Sequence, residues 1–147
     1  LLVATDLAKN RYLLTSEPEI GEARIFINGL NGNIFLYASE RNVYMYPYAG
    51  NRKTIKINND FPAGESITAM HLADYRVIPA TAANGICGDV TGTILYVATW
   101  NGTEGKVYEF RINRASGELE NNKEALNVFA GFNRISGFTF KEEPFVQ

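Results

Sequence analysis

Cysteine is almost absent from this chain. Cys87 stands alone among 147 residues, so no disulfide can form within the chain and no thiol-rich metal centre can be assembled. Histidine is equally scarce. The single one, His71, has no partner His, Cys or carboxylate cluster beside it, and an isolated His in a strand pattern reads as a side chain hydrogen-bonded within the fold. No apolar run approaches the roughly 20 residues of a membrane-spanning helix, and no charged-then-apolar signal segment opens the sequence. Charge of one sign is lacking as well: 14 Lys and Arg against 16 Asp and Glu leave a net charge of −2. With the basic residues scattered, neither nucleic acid nor an anionic membrane surface is an expected partner. Helical periodicity is weak throughout. The best helical candidate, ELENNKEALNVF (118–129), carries an Asn pair that favours a turn followed by a short strand.

What the chain does have is aromatic and repeated. Eight Tyr, nine Phe and one Trp in a sequence that is 46% apolar and 20% charged suit a soluble, compact all-β protein forming one domain over 1–147. IFLYAS (34–39) and ILYVAT (94–99) are near copies, each followed by a second aromatic segment, VYMYPY (43–48) or VYEFRI (107–112). ITAMHL (67–72) and ISGFTF (135–140) follow in turn, giving offsets of 60, 64 and 68 residues from positions 34, 43 and 67 to 94, 107 and 135. Loops differ in length while strand order is kept, the mark of a stacked β repeat. A third, weaker copy opens the chain: LLVAT (1–5) matches LYVAT (95–99), RYLL (11–14) matches VYEF (107–110), and ARIFIN (23–28) matches ITAMHL.

Turn signals punctuate the strands, among them Asn28-Gly29, Asn31-Gly32, Ala63-Gly64, Asn101-Gly102 and Ser116-Gly117, as in an antiparallel meander. The expectation is four-stranded blades of a β-propeller. Each has an inner strand of ITAMHL type, a second of ILYVAT type, a third of VYEFRI type and a variable outer strand, with 54–57 and 126–129 as outer-strand candidates. In VYMYPY both faces are apolar or aromatic, which predicts a strand buried on two sides and ending near Pro47. The irregular stretch 73–92 is expected to be a loop between an inner and a second strand. The repeat units fall at approximately 1–29, 30–72 and 73–141. About three blades are too few for a ring, which needs at least about four. The chain is therefore expected to be the C-terminal part of a larger propeller, with the remaining blades as its neighbours.

LYVATWNGTEGKVYEF (95–110), SGEL (116–119) and FAGFNRISGFTFK (129–141) resemble the propeller portion of PKD-like outer-surface lipoproteins of Bacteroides-type bacteria. The resemblance implies an exported, membrane-tethered protein of the cell envelope, at the outer surface or in the periplasm, associated with glycan capture. The chain departs from that family in having neither a lipid-attachment cysteine nor a PKD-like domain.

In an antiparallel blade the second-to-third loops and the outer-to-inner loops emerge on one rim. Here these are 6–10, 40–42 and 100–105, with 59–66 and 131–134. Trp100 heads the candidates, since an indole at a loop entrance offers a flat apolar platform and a polar N–H for a sugar. Asn101, Glu104, Glu40, Arg41 and Arg134 are the accompanying hydrogen-bonding side chains. A Trp beside a strand end also packs commonly against a neighbouring blade, and that reading stands beside the first. Asn58, Asn59 and Asp60 offer oxygen atoms but match no calcium-loop spacing, and a solvated turn is the expectation there. Asp89 lacks the second carboxylate that glycoside hydrolysis uses. Asn101-Gly102-Thr103 fits a glycosylation acceptor and equally a turn. No catalytic residue, metal site or cofactor is implied. The reading is a noncatalytic binding or scaffold module for a glycan or an envelope protein. The alternative is a propeller-type hydrolase or lyase acting on polysaccharide.

Overall fold

The computed structural model describes residues 2–5, 11–15, 25–30, 34–47, 55–76 and 90–139. Ten strands follow in chain order: β1 (Leu2–Thr5), β2 (Arg11–Thr15), β3 (Ile25–Leu30), β4 (Ile34–Ala38), β5 (Val43–Pro47), β6 (Ile55–Lys56), β7 (Ser66–Arg76), β8 (Val90–Trp100), β9 (Gly105–Ile112) and β10 (Asn127–Phe132). Their Val, Ile, Thr, Tyr and Phe content is what a pleated, packed surface selects. There is no α-helix among the described residues. The 118–129 segment instead holds a single 3₁₀ turn at Asn121–Lys123 and then enters β10. Its three residues all take positive φ, 60°, 56° and 62°, a region that Asn tolerates better than most side chains.

Every strand pairing is antiparallel. β1 and β2 form a two-stranded ribbon, and two four-stranded sheets follow, in the orders β3-β4-β5-β6 and β7-β8-β9-β10. The fold is thus all-β, and its two larger sheets are meanders whose spatial order equals their chain order. Short connections allow this: Ser39 to Asn42 turns β4 into β5 with a 2.9 Å backbone hydrogen bond, which fixes the pairing of Tyr37 with Tyr44 and Leu36 with Met45.

One core joins the two sheets. Leu36, Ala38, Val43 and Met45 from β4 and β5 pack with Ile67 and Met70 of β7, Leu95 and Val97 of β8, and Tyr108, Phe110 and Ile112 of β9. Leu95 and Val97 are wholly enclosed, and burying each such side chain is worth about 1.5–3 kcal/mol. β5 is buried on both faces, since Tyr44 and Tyr46 are buried along with Val43 and Met45. Tyr37 stacks on Tyr44 with ring centroids 5.4 Å apart.

The second sheet has unlike faces. Thr93, Leu95, Val97 and Thr99 point into the shared core, whereas the alternate residues Ile94, Tyr96 and Trp100 are half-buried. Over that outer face lies Phe138, its ring 6.4 Å from His71 and 6.2 Å from Tyr96. β10 is exposed along its length, with Phe129 47% and Phe132 45% accessible.

The stretch 73–92, expected to be a loop, is in part ladder. β7 continues to Arg76 and β8 begins at Val90, with Ala73 opposite Ile94 and Asp74 opposite Thr93. A polar clasp holds this end: Asp74 accepts a 3.1 Å hydrogen bond from the Thr93 hydroxyl and pairs with Arg114. Residues 77–89, with Cys87 and Asp89, lie outside the described residues, as do the rim loop 6–10 and the first outer-strand candidate position, 54. The second outer strand is longer and later than 126–129, running Asn127–Phe132.

Candidate binding rim and the carboxylate beneath it

Four connections meet at one end of the two sheets, and backbone contacts tie them. The Ile67 amide donates to the Glu40 carbonyl at 2.7 Å, joining the start of β7 to the β4–β5 turn. The Ser66 hydroxyl donates to the Trp100 carbonyl at 3.3 Å. Gly105, opposite Trp100 in one ladder and Phe132 in the other, is so close to the 132–133 backbone that a Cβ there would overlap the Asn133 carbonyl oxygen. Only glycine allows this approach.

Each candidate side chain has a definite place in this frame. Glu40 and Arg41 are exposed at the tip of a turn organised by Ser39, whose hydroxyl oxygen accepts from the Arg41 and Asn42 amides at 3.4 and 3.2 Å. Asn101 opens the β8–β9 turn. Its Oδ1 accepts from the Thr103 amide at 2.9 Å, the Thr103 hydroxyl at 3.0 Å and the Glu104 amide at 2.7 Å, while Gly102 takes a φ of 99°. The acceptor expected to meet a ligand is therefore committed to the turn. Trp100 is half-buried and by strand alternation shares the face of Ala98 and Tyr96, away from the core. Glu104 is half-buried and Arg134 exposed. Trp100, Asn101 and Glu104 share one turn and Arg134 follows the end of β10 that pairs with Gly105, while Glu40 and Arg41 belong to the turn of the other sheet.

Beneath the rim is a cluster that inspection of the sequence does not single out. Glu65 is 4% exposed. Its carboxylate accepts from the Tyr108 hydroxyl at 2.6 Å, the Lys106 ammonium at 2.8 Å and the Thr99 hydroxyl at 3.1 Å. Burial pushes the carboxyl pKa upward, but the hydrogen bonds from Lys106, Tyr108 and Thr99, with the Lys106 charge, outweigh it and hold the group below its ordinary value. Burial and the adjacent carboxylate raise the Tyr108 phenol. Hydrogen bonding and charge from Glu65, aided by Glu104, raise Lys106 against a small effect of burial. A carboxylate held ionised by three donors neither offers a proton nor takes one readily at neutral pH. What it does is fasten the 57–66 connection to β8 and β9, beside the Phe61 ring, which meets Tyr108 edge-on at 4.9 Å.

The Asn58–Asp60 segment is similarly committed. Asn58, expected in a solvated turn, is buried: its Oδ1 accepts from the Val43 amide at 2.8 Å and its amide group donates to the Asn59 carbonyl at 2.7 Å. Asn59 donates to the Asn122 carbonyl at 3.2 Å, and Asp60 pairs with Lys56. The Asn58 amide oxygen and the Asp60 carboxylate thus serve the chain itself. Nothing local in the sequence separates Asn58 from its exposed neighbours, because its partner lies 15 residues earlier on β5.

No helix among the described residues is long and apolar enough to cross a membrane. Comparison of the chain with protein-family models, with curated proteins and with solved structures gives no match.

Proposed function

We propose that this chain forms part of a β-propeller and acts as a noncatalytic binding or scaffold module of the bacterial cell envelope, with a glycan as the favoured ligand at the rim. The observation that carries the reading is the convergence of the β4–β5 turn, the β8–β9 turn and the 57–66 and 131–134 connections at one end of two like-ordered meanders. A rim of exposed polar groups and one half-buried indole on a rigid base suits recognition of a hydroxyl-rich ligand. The blade arrangement is supported by the two sheets' identical order and shared core, and the envelope location by the resemblance in 95–110 and 129–141. Glu65, the enclosed carboxylate of this end, is held ionised by three donors, which favours binding over hydrolysis.

A glycan array on the intact protein, followed by calorimetry on any ligand found, tests the reading. Trp100→Ala and Arg134→Ala together should weaken binding at least tenfold while leaving the far-UV circular dichroism unchanged. Absence of binding to every glycan and envelope fraction, or binding indifferent to both changes, would refute it.

A further inference from the structure

Residues 65–67, where the 57–66 connection enters β7, make contacts in three directions. The Glu65 carboxylate takes the Thr99 and Tyr108 hydroxyls on Oε2 and the Lys106 ammonium on Oε1. The Ser66 hydroxyl donates to the Trp100 carbonyl, and the Ile67 amide donates to the Glu40 carbonyl. Three successive residues therefore hold the end of β8, the start of β9 and the turn of the other sheet.

The ladder shows what the carboxylate controls. Thr99 faces Lys106 across β8 and β9, and the next rung, Trp100 with Gly105, is the last before the β8–β9 turn. Glu65, itself buried, clamps the rung directly beneath the indole. Its donors are not equivalent. A hydroxyl can rotate to accept a hydrogen bond, whereas an ammonium has no lone pair with which to do so. A proton on Oε2 can be met by Thr99 or Tyr108, but it removes the charge that holds Lys106.

We infer that Glu65 is the positioning residue of the rim: its charged carboxylate seats the Thr99–Lys106 rung, and through it Trp100, on the junction that also carries the Glu40–Arg41 turn, and its protonation frees the two turns from one another. The functional consequence, which rests on the rim reading proposed above, is a binding surface assembled at neutral pH and loosened in acid. Burial alone would bring the loosening on early. The hydrogen bonds from Lys106, Tyr108 and Thr99, with the Lys106 charge, delay it to below the ordinary carboxyl value of 4.5. The titratable groups acting on Glu65 are Lys106 and Tyr108 of β9, with Glu104 of the β8–β9 turn acting on Lys106. Of the charged side chains on the adjoining connections, Glu40, Arg41 and Arg134 are exposed and Asp60 is engaged by Lys56.

Trp100 is the one tryptophan of the chain, so its indole N–H gives a single NMR cross-peak, and no ligand is needed to read the rim. In the unmodified protein, over the acid range in which far-UV circular dichroism holds constant, that peak should shift with the same midpoint as the Glu65 side-chain carboxyl carbon. Protection of the Ile67 amide from exchange should fall with it. Glu65→Gln should place the indole peak at its acid position already at neutral pH and abolish the titration. Glu104→Gln, which removes the other carboxylate beside this indole, should leave the titration in place. The unmodified protein with Glu104→Gln decides the question even where Glu65→Gln does not fold. An indole peak that stays put while Glu65 titrates, or that titrates alike in Glu65→Gln, overturns the inference. Unfolding in step with Glu65 protonation, with no earlier change at Trp100, overturns it as well. A moving indole with unchanged Ile67 protection refutes the coupling of the two turns. A rim that binds no glycan would fail the reading above and leave every one of these outcomes readable.

Discussion

Replacing Glu65 by Gln removes the charge beneath the rim while keeping the side-chain volume. The wild-type carboxylate accepts three hydrogen bonds, at 2.6, 2.8 and 3.1 Å, one from a charged donor. Hydrogen bonds involving a charged group contribute about 1.5–3 kcal/mol each in mutational series and do not add fully when they share one acceptor. The Lys106 side chain is 26% exposed, so water compensates part of the loss at that partner. Glutamine retains one carbonyl acceptor and places an NH₂ against donors. The expected destabilisation is about 2–4 kcal/mol, read as a lowered urea midpoint at unchanged slope. The pH dependence supplies an independent check. The folded carboxyl pKa lies below its unfolded value of 4.5, so the stabilisation is fully present above about pH 5 and disappears as pH falls through the folded value. Wild type and Glu65→Gln should therefore differ at pH 7 and converge in acid. A difference below about 0.5 kcal/mol at pH 7, or one that persists unchanged at pH 2, refutes the assignment of this network as the fastening of the 57–66 connection.

Other consequences are as direct. Thr68 sits where the β7–β8 register shifts, and its buried hydroxyl has no hydrogen-bond partner among the described residues; Thr68→Val should be neutral or stabilising by up to about 1–2 kcal/mol in thermal melts, and a loss above 1 kcal/mol would contradict it. Gly105→Ala forces Cβ against the Asn133 carbonyl and should cost about 1–3 kcal/mol by overpacking, with amide exchange accelerating first in β10. Asn58→Ala leaves the buried Val43 amide without its acceptor and should cost about 1–3 kcal/mol; an equal melting temperature would show that the amide finds another partner. At high pH, the raised values of Tyr108 and Lys106 mean that their contribution is complete below about pH 10 and lost above it. Glu65→Gln should flatten that alkaline loss as well.

How much of this was legible beforehand varies with the range of the interaction. The strands over 34–38, 43–47, 107–112 and 127–129 follow from alternation and turn chemistry, signals local to a few residues, whereas the extensions to Gly105 and Phe132 do not. The two-sided burial of β5 was likewise written in VYMYPY. The ladder extension through 73–76 and 90–92 was not, because ADYR and VTG have little apolar alternation, and the strand there is held by Asp74, Thr93 and Arg114 across the sheet. The rim candidates were chosen by residue type. The structure commits the Asn101 acceptor to its own turn and leaves Glu40, Arg41 and Arg134 exposed.

The sequence by itself determined strand order, the all-β character and the turns, since each depends on backbone preference and side-chain alternation over short spans. Tertiary structure alone decided that Glu65 is enclosed and ionised, that Asn58 is buried, and that Phe138 lies on the outer face of the second sheet. The partners of Glu65 lie 34 to 43 residues away, and the rings beside Phe138, Tyr96 and His71, precede it by 42 and 67 residues. No local pattern encodes which distant donor will meet a given acceptor, because that choice is made only when the two sheets close on their common core.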